Sequence, residues 1–329
     1  MNAEQLTNSI NALLHGCQCA RVPLVPCGES ANDVTFLGIV FPFDGSMPVA
    51  KIYFSPRGGQ PSFPAEMPEA LRKSMECTIQ SHGGENLRLH DASVECTKTG
   101  EIVGRMLWAL RSGDRGDDKR WPGIVRRILT DLGHSGLAET LLRLDGCLRE
   151  ILGSELAPLC QLGGFLAPDG SLFRIKANFD ADVNRSAERV EYNRDRSRVA
   201  TQFLLGECGL KAHDVARMLS CLDAAMQGEC QFHSWGFHAE NAKLKSLKVY
   251  VKDERPTELA FPAIFRAFPP DMAGAISPGS CRRPDVLLLP FGWRYWGFYV
   301  EVAATSLRTL KFYFQAPESQ RSSNCAPVA

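Results

Sequence analysis

The sequence predicts an α+β fold, a closed ten-stranded antiparallel β-barrel surrounded by an outer ring of α-helices. Three observations predict it. A pattern of an apolar strand, a short polar turn and a second strand that carries a cation occurs five times along the 329 residues. Segments with the helical spacing of apolar and charged residues separate the copies. Five consecutive hairpins supply ten antiparallel strands, which lose their exposed edges when the sheet closes on itself.

Each copy of the pattern has the features of a β-hairpin. β-Branched and aromatic residues flank a polar turn, and several of the turns contain Asp-Gly or Thr-Gly. Because successive residues of a strand lie on opposite faces, a cation and the residue two positions later share one face. The residues between them are apolar and suit packing beneath helices: Ile52, Ile175, Ala177, Val249 and Phe312.

Helix signals fill the gaps between the hairpins, and they predict an outer layer of helices. We expect residues 1–30 to form an N-terminal helix and lead-in, 31–316 a single barrel, and 317–329 a disordered tail. The predicted helices of the barrel are PAEMPEALRKSMECTIQSH, WPGIVRRILTDLGHSGLAETLLRLDGCLREIL, VNRSAERVEYNRDRSRVATQFLLGE, AHDVARMLSCLDAAMQ and TELAFPAIFRAF.

The composition argues against several classes of protein. Thirty-seven basic residues balance 37 acidic ones, so we expect neither nucleic acid nor a membrane surface as a partner. No apolar stretch approaches the roughly 20 residues of a membrane-spanning helix, and no secretory signal begins the chain. A cytoplasmic location with reduced cysteines is therefore expected. Cys17, Cys19 and Cys27 lack the spacing and the fourth ligand of a zinc site.

Cations recur at one position of the second strands. Charged side chains are rarely buried unless they are paired, and we find no acids in these strands to neutralise them. An anionic ligand is therefore expected, and a diphosphate offers many acceptor oxygens to Lys and Arg. Tyrosines two positions later would add hydroxyls for the phosphates and ring faces that screen an allylic carbocation. The cations are Lys51, Arg105, Arg174, Lys176, Lys248 and Lys311, and the tyrosines are Tyr53, Tyr250 and Tyr313.

A single Lys-x-Tyr pair is more often a solvent-exposed feature of a strand, but cations at equivalent positions of five second strands, three of them followed by Tyr, favour the inward site. The hairpin–helix repeat, with VAKIYF, LFRIKANF, SLKVYV and LKFYF on second strands, resembles the αββα-barrel (ABBA) aromatic prenyltransferases over residues 30–316. The indole-type and cyanobactin-type branches are the most similar. Leu107 and Asn178 stand where that family often has tyrosine.

The resemblance implies transfer of a dimethylallyl or geranyl-type group from a prenyl diphosphate to an electron-rich acceptor. The acceptor would be an indole, a phenol or a nitrogen-bearing side chain, including one within a peptide. It also implies an acid near the start of the first strand that takes the acceptor's proton, and Asp33 and Glu29 lie there. Neither an Asp-rich motif nor a phosphate loop is found, so no cofactor is required, although Mg²⁺ can accompany the diphosphate.

Aromatic residues cluster in FHSWGF and GWRYWGFYV, and two interpretations of them stay open. They line the prenyl or acceptor pocket, or they fill the layer between sheet and helices. The candidates for the pocket are His233, Trp235, Tyr295 and Tyr299.

Two alternatives compete with an enzyme built on one barrel. The first is a noncatalytic barrel that binds an anionic lipid or a phosphorylated metabolite with the same cationic interior. The second is a pair of unrelated α+β domains that divide near residue 155, each of which would fold separately.

Overall fold

The fold was analysed in a computed structural model of the chain. In the strands that lie before residue 113, side chains are described only for residues 36–42 of the first strand. The described residues are 34–43, 49–54, 69, 72–73, 87–89, 92–96, 102–112, 121–154, 157–166, 172–181, 193–228, 230–240, 243–268, 293–303 and 306–316.

Eleven strands and five helices are defined among these residues. The strands are β1 Val34–Pro42, β2 Val49–Phe54, β3 Leu87–Leu89, β4 Ala92–Cys96, β5 Ile102–Ser112, β6 Leu159–Leu166, β7 Leu172–Asp180, β8 Gln231–Glu240, β9 Lys243–Lys252, β10 Arg294–Ala303 and β11 Ser306–Gln315. The helices are α1 Trp121–Asp131, α2 Ser135–Leu152, α3 Arg194–Glu207, α4 Ala212–Ala225 and α5 Thr257–Ala267.

All strand pairings are antiparallel and belong to one sheet. From β5 the pairings run through β4, β2, β1, β11, β10, β9, β8 and β7 to β6, and β6 pairs with β5. The five predicted hairpins are all present. The first strand of the second hairpin consists of two segments, β3 and β4, which both pair with β5.

These pairings exclude two separate domains that divide near residue 155. β5 and β6 lie on either side of that point and pair from Arg105–Leu166 to Arg111–Gln161. β1 pairs with β11, so the two ends of the sequence also meet in the sheet. The prediction of an antiparallel sheet combined with helices is confirmed.

The helices cover one face of the sheet because their apolar stripes need a partner surface. In α2, leucines at helical spacing are buried, and the helix ends at Gly153 in a left-handed conformation. In α3, the side chain of Asn193 accepts a hydrogen bond from the Arg196 amide and caps the helix. All five helices lie within segments for which the sequence predicted them. Of the predicted helix between residues 64 and 82, only residues 69, 72 and 73 are described, and they are helical; the N-terminal helix and the tail lie outside the described residues.

One hydrophobic core lies between the helices and the outward residues of the strands. It includes Ile175, Ala177, Val249 and Phe312, the apolar residues that alternate with the cations. Helix residues such as Phe261 meet them there, with 4.3 Å between the ring centroids of Phe261 and Phe312. None of the helices in the described part of the chain is long and apolar enough to cross a membrane.

Candidate functional site

The face of the sheet opposite the helices carries four of the six predicted cations, and we call it the inner face. In β9 the outward residues Leu247, Val249 and Val251 belong to the hydrophobic core. Lys248 and Tyr250 alternate with them and therefore lie on the inner face. The same alternation puts Arg174, Lys176, Lys311 and Tyr313 there.

Three tyrosines form a separate buried cluster on this face: Tyr250, Tyr299 and Tyr313. The ring centroids of Tyr250 and Tyr299 are 5.0 Å apart, and those of Tyr299 and Tyr313 are 5.8 Å apart. The strand register explains the contact, since Tyr250 lies opposite Tyr299 and Tyr299 lies opposite Lys311. The cluster therefore brings together residues from β9, β10 and β11.

Lysine side chains lie over the rings of this cluster. Lys311 is 0% exposed, and its Nζ lies 4.4 Å from the Tyr313 ring centroid and 5.6 Å from that of Tyr299. Lys248 is 5% exposed, with its Nζ 4.8 Å from the Tyr299 ring centroid. Lys176 Nζ lies 5.7 Å from the Tyr250 ring centroid. The electron-rich ring faces stabilise these cations.

Gly38 makes room for the most deeply buried lysine. It lies in β1 opposite Tyr313, and a Cβ at this position would overlap the Lys311 side chain. A glycine in a strand often marks such a close approach. The sequence of β1 thus helps to place Lys311 on the inner face.

Glu301 corrects the expectation that no acid lies among the cations. Its carboxylate lies 3.5 Å from Lys248 Nζ and 3.6 Å from His238 Nδ1. The hydroxyls of Ser246 and Thr309 donate hydrogen bonds to it, at 2.6 and 3.1 Å. Glu301 follows Tyr299 by two residues in β10, so strand alternation was the signal that could have found it.

Arg174 also has a carboxylate partner. Its Nε donates a hydrogen bond to Glu240 Oε1 at 3.2 Å, near the turn that joins β8 and β9. Asn178 stands two residues after Lys176 and donates a hydrogen bond to Gln161 Oε1 at 2.6 Å. The part of the inner face around Arg174 and Glu240 is thus polar and contains charges of both signs, and we call it the polar end.

The opposite end of the inner face is aromatic. The Trp296 ring meets Phe36, His233 and Tyr313 edge to face, with centroid distances of 5.9, 4.9 and 5.9 Å. His233 was predicted as a pocket residue, whereas Phe36 and Trp296 were missed. Such edge-to-face groups are rigid apolar surfaces that suit an aromatic or prenyl ligand.

β-Bulges explain why Trp296 was missed and why Tyr295 was misplaced. The register of β10 against β11 shifts between Tyr295 and Gly297, and that of β8 against β9 shifts between Phe232 and Ser234. Each bulge adds a residue and changes which residues share a face. A Cβ at Gly297 would overlap the Val251 carbonyl oxygen, so this bulge requires a glycine.

Two predicted pocket residues lie on the helix side of the sheet instead. Trp235 is buried and donates a hydrogen bond from Nε1 to Thr201 Oγ1 of α3 at 2.9 Å. Tyr295 packs on Phe261 of α5 and donates a hydrogen bond to Asp253 at 3.2 Å. Their assignment to the pocket is therefore corrected, because the layer between sheet and helices is the surface that they fill.

The remaining candidates lie wholly or partly outside the described residues. Asp33 and Glu29 precede the first described residue, and the side chains of Lys51, Tyr53 and Arg105 are not described. The backbone register pairs Lys51 with Gly38, in the row of Tyr313.

Arg105 occupies a different row of the register. It pairs with Val94, Val94 with Ile52, and Ile52 with Leu37, and Leu37 belongs to the hydrophobic core. Arg105 and Lys51 therefore lie in different rows of paired residues. The second hairpin does not place its cation at the position that the other four hairpins use.

Comparison with solved structures finds the same fold in aromatic prenyltransferases. The structure of 5-dimethylallyltryptophan synthase from Streptomyces coelicolor matches 97% of this chain and 93% of its own, with a TM-score of 0.50 and 12% identity. AnaPT from Neosartorya fischeri matches 97% and 95%, with a TM-score of 0.54 and 10% identity. No family model matches the sequence, and no curated protein is significantly similar to it. The chain has the fold of the ABBA aromatic prenyltransferases.

Proposed function

We propose that this protein is a prenyltransferase that moves a dimethylallyl or geranyl-type group from a prenyl diphosphate to an electron-rich acceptor. We further propose that the strands close into a ten-stranded barrel, with β3 and β4 acting as one strand. The pairing of β5 with both β4 and β6 supports closure. The reaction would take place inside, against the inner face.

The observation that carries the proposal is the contact between buried lysines and the tyrosine cluster. Burial of a charge is costly unless a partner compensates it. Lys248 and Lys311 are both buried, and the carboxylate of Glu301 lies near Lys248 and His238. A diphosphate supplies several negative charges in one small group. The adjacent rings present the negative faces of their quadrupoles, which stabilise an allylic carbocation.

In this proposal Lys176, Lys248 and Lys311 hold the diphosphate, with Arg174 at the polar end. The bond between the allylic carbon and the diphosphate oxygen breaks, and the oxygen keeps the electron pair. Tyr250, Tyr299 and Tyr313 screen the cation from water until the acceptor attacks it. The acceptor then loses a proton, for which Asp33 and Glu29 stay the candidate bases.

The aromatic end of the inner face is the proposed place of the prenyl chain and the acceptor. Trp296, Phe36 and His233 replace Trp235 and Tyr295 in this role. The Streptomyces coelicolor structure is named a 5-dimethylallyltryptophan synthase, so tryptophan is the first acceptor to test. Phenols and peptides follow, because the inner face does not itself select among them.

The experiment is incubation with dimethylallyl and geranyl diphosphate and a panel of tryptophan, phenols and short peptides, read by mass. It is run with and without Mg²⁺, since metal independence stays a prediction. Lys311→Met should abolish most of the product, whereas Lys245→Met, at an exposed position of β9, should not. Tight binding of prenyl diphosphate without any transfer to the acceptors would instead support the noncatalytic barrel.

A further inference from the structure

Glu301 is a carboxylate placed in a region that should attract anions. Its side chain is 14% exposed, and both of its oxygens are engaged. Ser246 donates to Oε1 and Thr309 donates to Oε2. Two hydroxyl donors fix the position of the group and stabilise its charged form. A negative charge held this firmly must affect any diphosphate that binds beside it.

The geometry between Glu301 and Lys248 is that of a loose pair. Lys248 Nζ lies 3.5 Å from Glu301 Oε2, longer than the roughly 2.7–2.9 Å of a charge-assisted hydrogen bond. The same Lys248 Nζ lies over the Tyr299 ring, on which the proposed carbocation would rest. Lys248 is therefore close to a compensating charge without being locked onto it.

A counterion explains how a buried lysine is tolerated when no ligand is bound. An uncompensated buried charge strongly destabilises a folded protein, and a nearby carboxylate offsets this. The same carboxylate repels an incoming anion, because like charges in a partly desolvated site disfavour each other. Glu301 thus stabilises the folded protein without ligand, and it lowers the affinity of the site for diphosphate.

We propose that Glu301 is the internal counterion of Lys248, and that a bound diphosphate takes its place. This inference rests on the proposed function. On binding, the Lys248 ammonium exchanges the carboxylate for a phosphate oxygen, and on product release the carboxylate takes the ammonium back. Glu301 is a positioning residue that acts through Lys248, and it weakens the hold of the site on the product diphosphate.

The test is calorimetric titration with inorganic pyrophosphate of the wild type and of Glu301→Gln, Lys248→Met and the double variant. Gln keeps the shape: its Oε1 can accept one of the two hydroxyl hydrogen bonds, and its Nε2 can donate to the oxygen of the other hydroxyl. Glu301→Gln should bind pyrophosphate about tenfold more tightly, and the gain should be clearly smaller in the Lys248→Met background, where only the direct repulsion by the carboxylate is removed. Glu258→Gln, which removes an exposed carboxylate from α5, should leave the affinity unchanged.

The direction of the change separates this role from a structural one. Damage to the fold lowers affinity, so weaker or unchanged binding by a folded Glu301→Gln overturns the proposal. An equal gain with and without Lys248 also overturns it, because the carboxylate would then act by general charge alone. Circular dichroism and thermal melting verify that each variant is folded.

A second variant keeps the proposal testable should Glu301→Gln fail to fold. Thr309→Val removes one hydroxyl donor with little change in shape, so Glu301 should depend more on Lys248 and pyrophosphate should bind two- to threefold more weakly. Unchanged or tighter binding by Thr309→Val overturns the proposal. If the wild type neither binds pyrophosphate nor transfers a prenyl group, both the proposed function and the counterion fail. If it does both and Glu301→Gln gives no gain, only the counterion fails.

Discussion

Two buried acidic networks lie on opposite faces of the same strands, and they are built differently. On the helix side, Asp253 follows β9 and is 0% exposed. Arg255 donates to both of its oxygens at 2.8 Å, and Tyr295 donates at 3.2 Å. Arg255 also donates to the Ala225 carbonyl at the end of α4. This network joins α4, β9 and β10 by short, matched contacts.

In the inner network, the distances from Glu301 to Lys248 and His238 are longer than those from Asp253 to Arg255, and more positive charge lies around the carboxylate. Lys248 and His238 approach the carboxylate at 3.5 and 3.6 Å, and Lys311 lies nearby over the tyrosine rings. A closed network of short bonds rigidifies a fold, whereas a loose one leaves charge for a ligand. The comparison indicates that polar residues on the helix side serve stability, and those on the inner face serve binding.

The largest effect is expected from breaking the outer network. Asp253→Ala leaves Arg255 as an uncompensated, mostly buried cation and leaves the Tyr295 hydroxyl without its acceptor. Loss of one member of a buried pair costs about 3–5 kcal/mol of unfolding free energy. Asp223→Ala breaks the more exposed pair with Arg198 and should cost under about 1 kcal/mol. Denaturant unfolding measures the loss of unfolding free energy in both variants. Equal losses would show that the network around Asp253 contributes no more to stability than an exposed ion pair.

Lys311→Met tests the other side of the comparison. Methionine is unbranched, similar in length and apolar, so the unfolding free energy should stay the same or rise. A hydrogen bond to a charged group contributes about 1.5–3 kcal/mol, so pyrophosphate binding should weaken roughly 10- to 100-fold. A variant that unfolds easily and binds normally would make Lys311 a structural residue.

The alternation of the strands was the part of the site that the sequence predicted well. In β7, β9 and β11 the cations and tyrosines alternate with Ile175, Val249 and Phe312, and period-two spacing needs no knowledge of the partner strand. The helices were likewise visible, because α2 has leucines at helical spacing and is followed by Gly153.

Features that depend on pairing were not visible in the sequence. The bulges that move Trp296 inward and Tyr295 outward exist only relative to the neighbouring strands. The row of Arg105 is set by its register with Val94, which strand spacing alone does not fix. Glu301 was within reach, since Tyr299 was already a candidate two residues before it.

A matched pair of tyrosines in β10 gives a smaller effect. Tyr295→Phe removes the hydrogen bond to Asp253 on the helix side and should cost about 1.5–3 kcal/mol of unfolding free energy, at the lower end because the ring packing remains. Tyr299→Phe on the inner face keeps the ring and should lower turnover tenfold or less. Tyr299→Ala should lower turnover further and release the prenyl alcohol, because water reaches the cation. Thermal melting and product analysis by mass separate the two faces, and identical behaviour of Tyr295→Phe and Tyr299→Phe in both assays would contradict the comparison.

The smallest effect concerns the alkaline side of the stability profile. Burial, followed by the charge of Asp253, raises the pKa of the Cys230 thiol from 9.0 to about 12, and burial raises that of Cys208 to about 12 as well. The thiols therefore stay protonated to a higher pH in the folded protein than in the unfolded chain. Their contribution to the unfolding free energy is complete below pH 9 and declines as the pH rises from about 9 to about 12.

Between pH 8 and pH 9.5, the titration of each thiol should lower the unfolding free energy by under about 1 kcal/mol. Cys230→Ala and Cys208→Ala should each flatten this decline, and the double variant should flatten it further, although both substitutions lower stability at every pH by removing buried volume. Denaturant unfolding at pH 7, 8, 9 and 9.5 measures the slopes, which are independent of that constant loss. If Cys230→Ala keeps the full wild-type slope, the thiol already exchanges its proton with solvent in the folded protein, and the helix-side network around Asp253 is more open than its short contacts indicate.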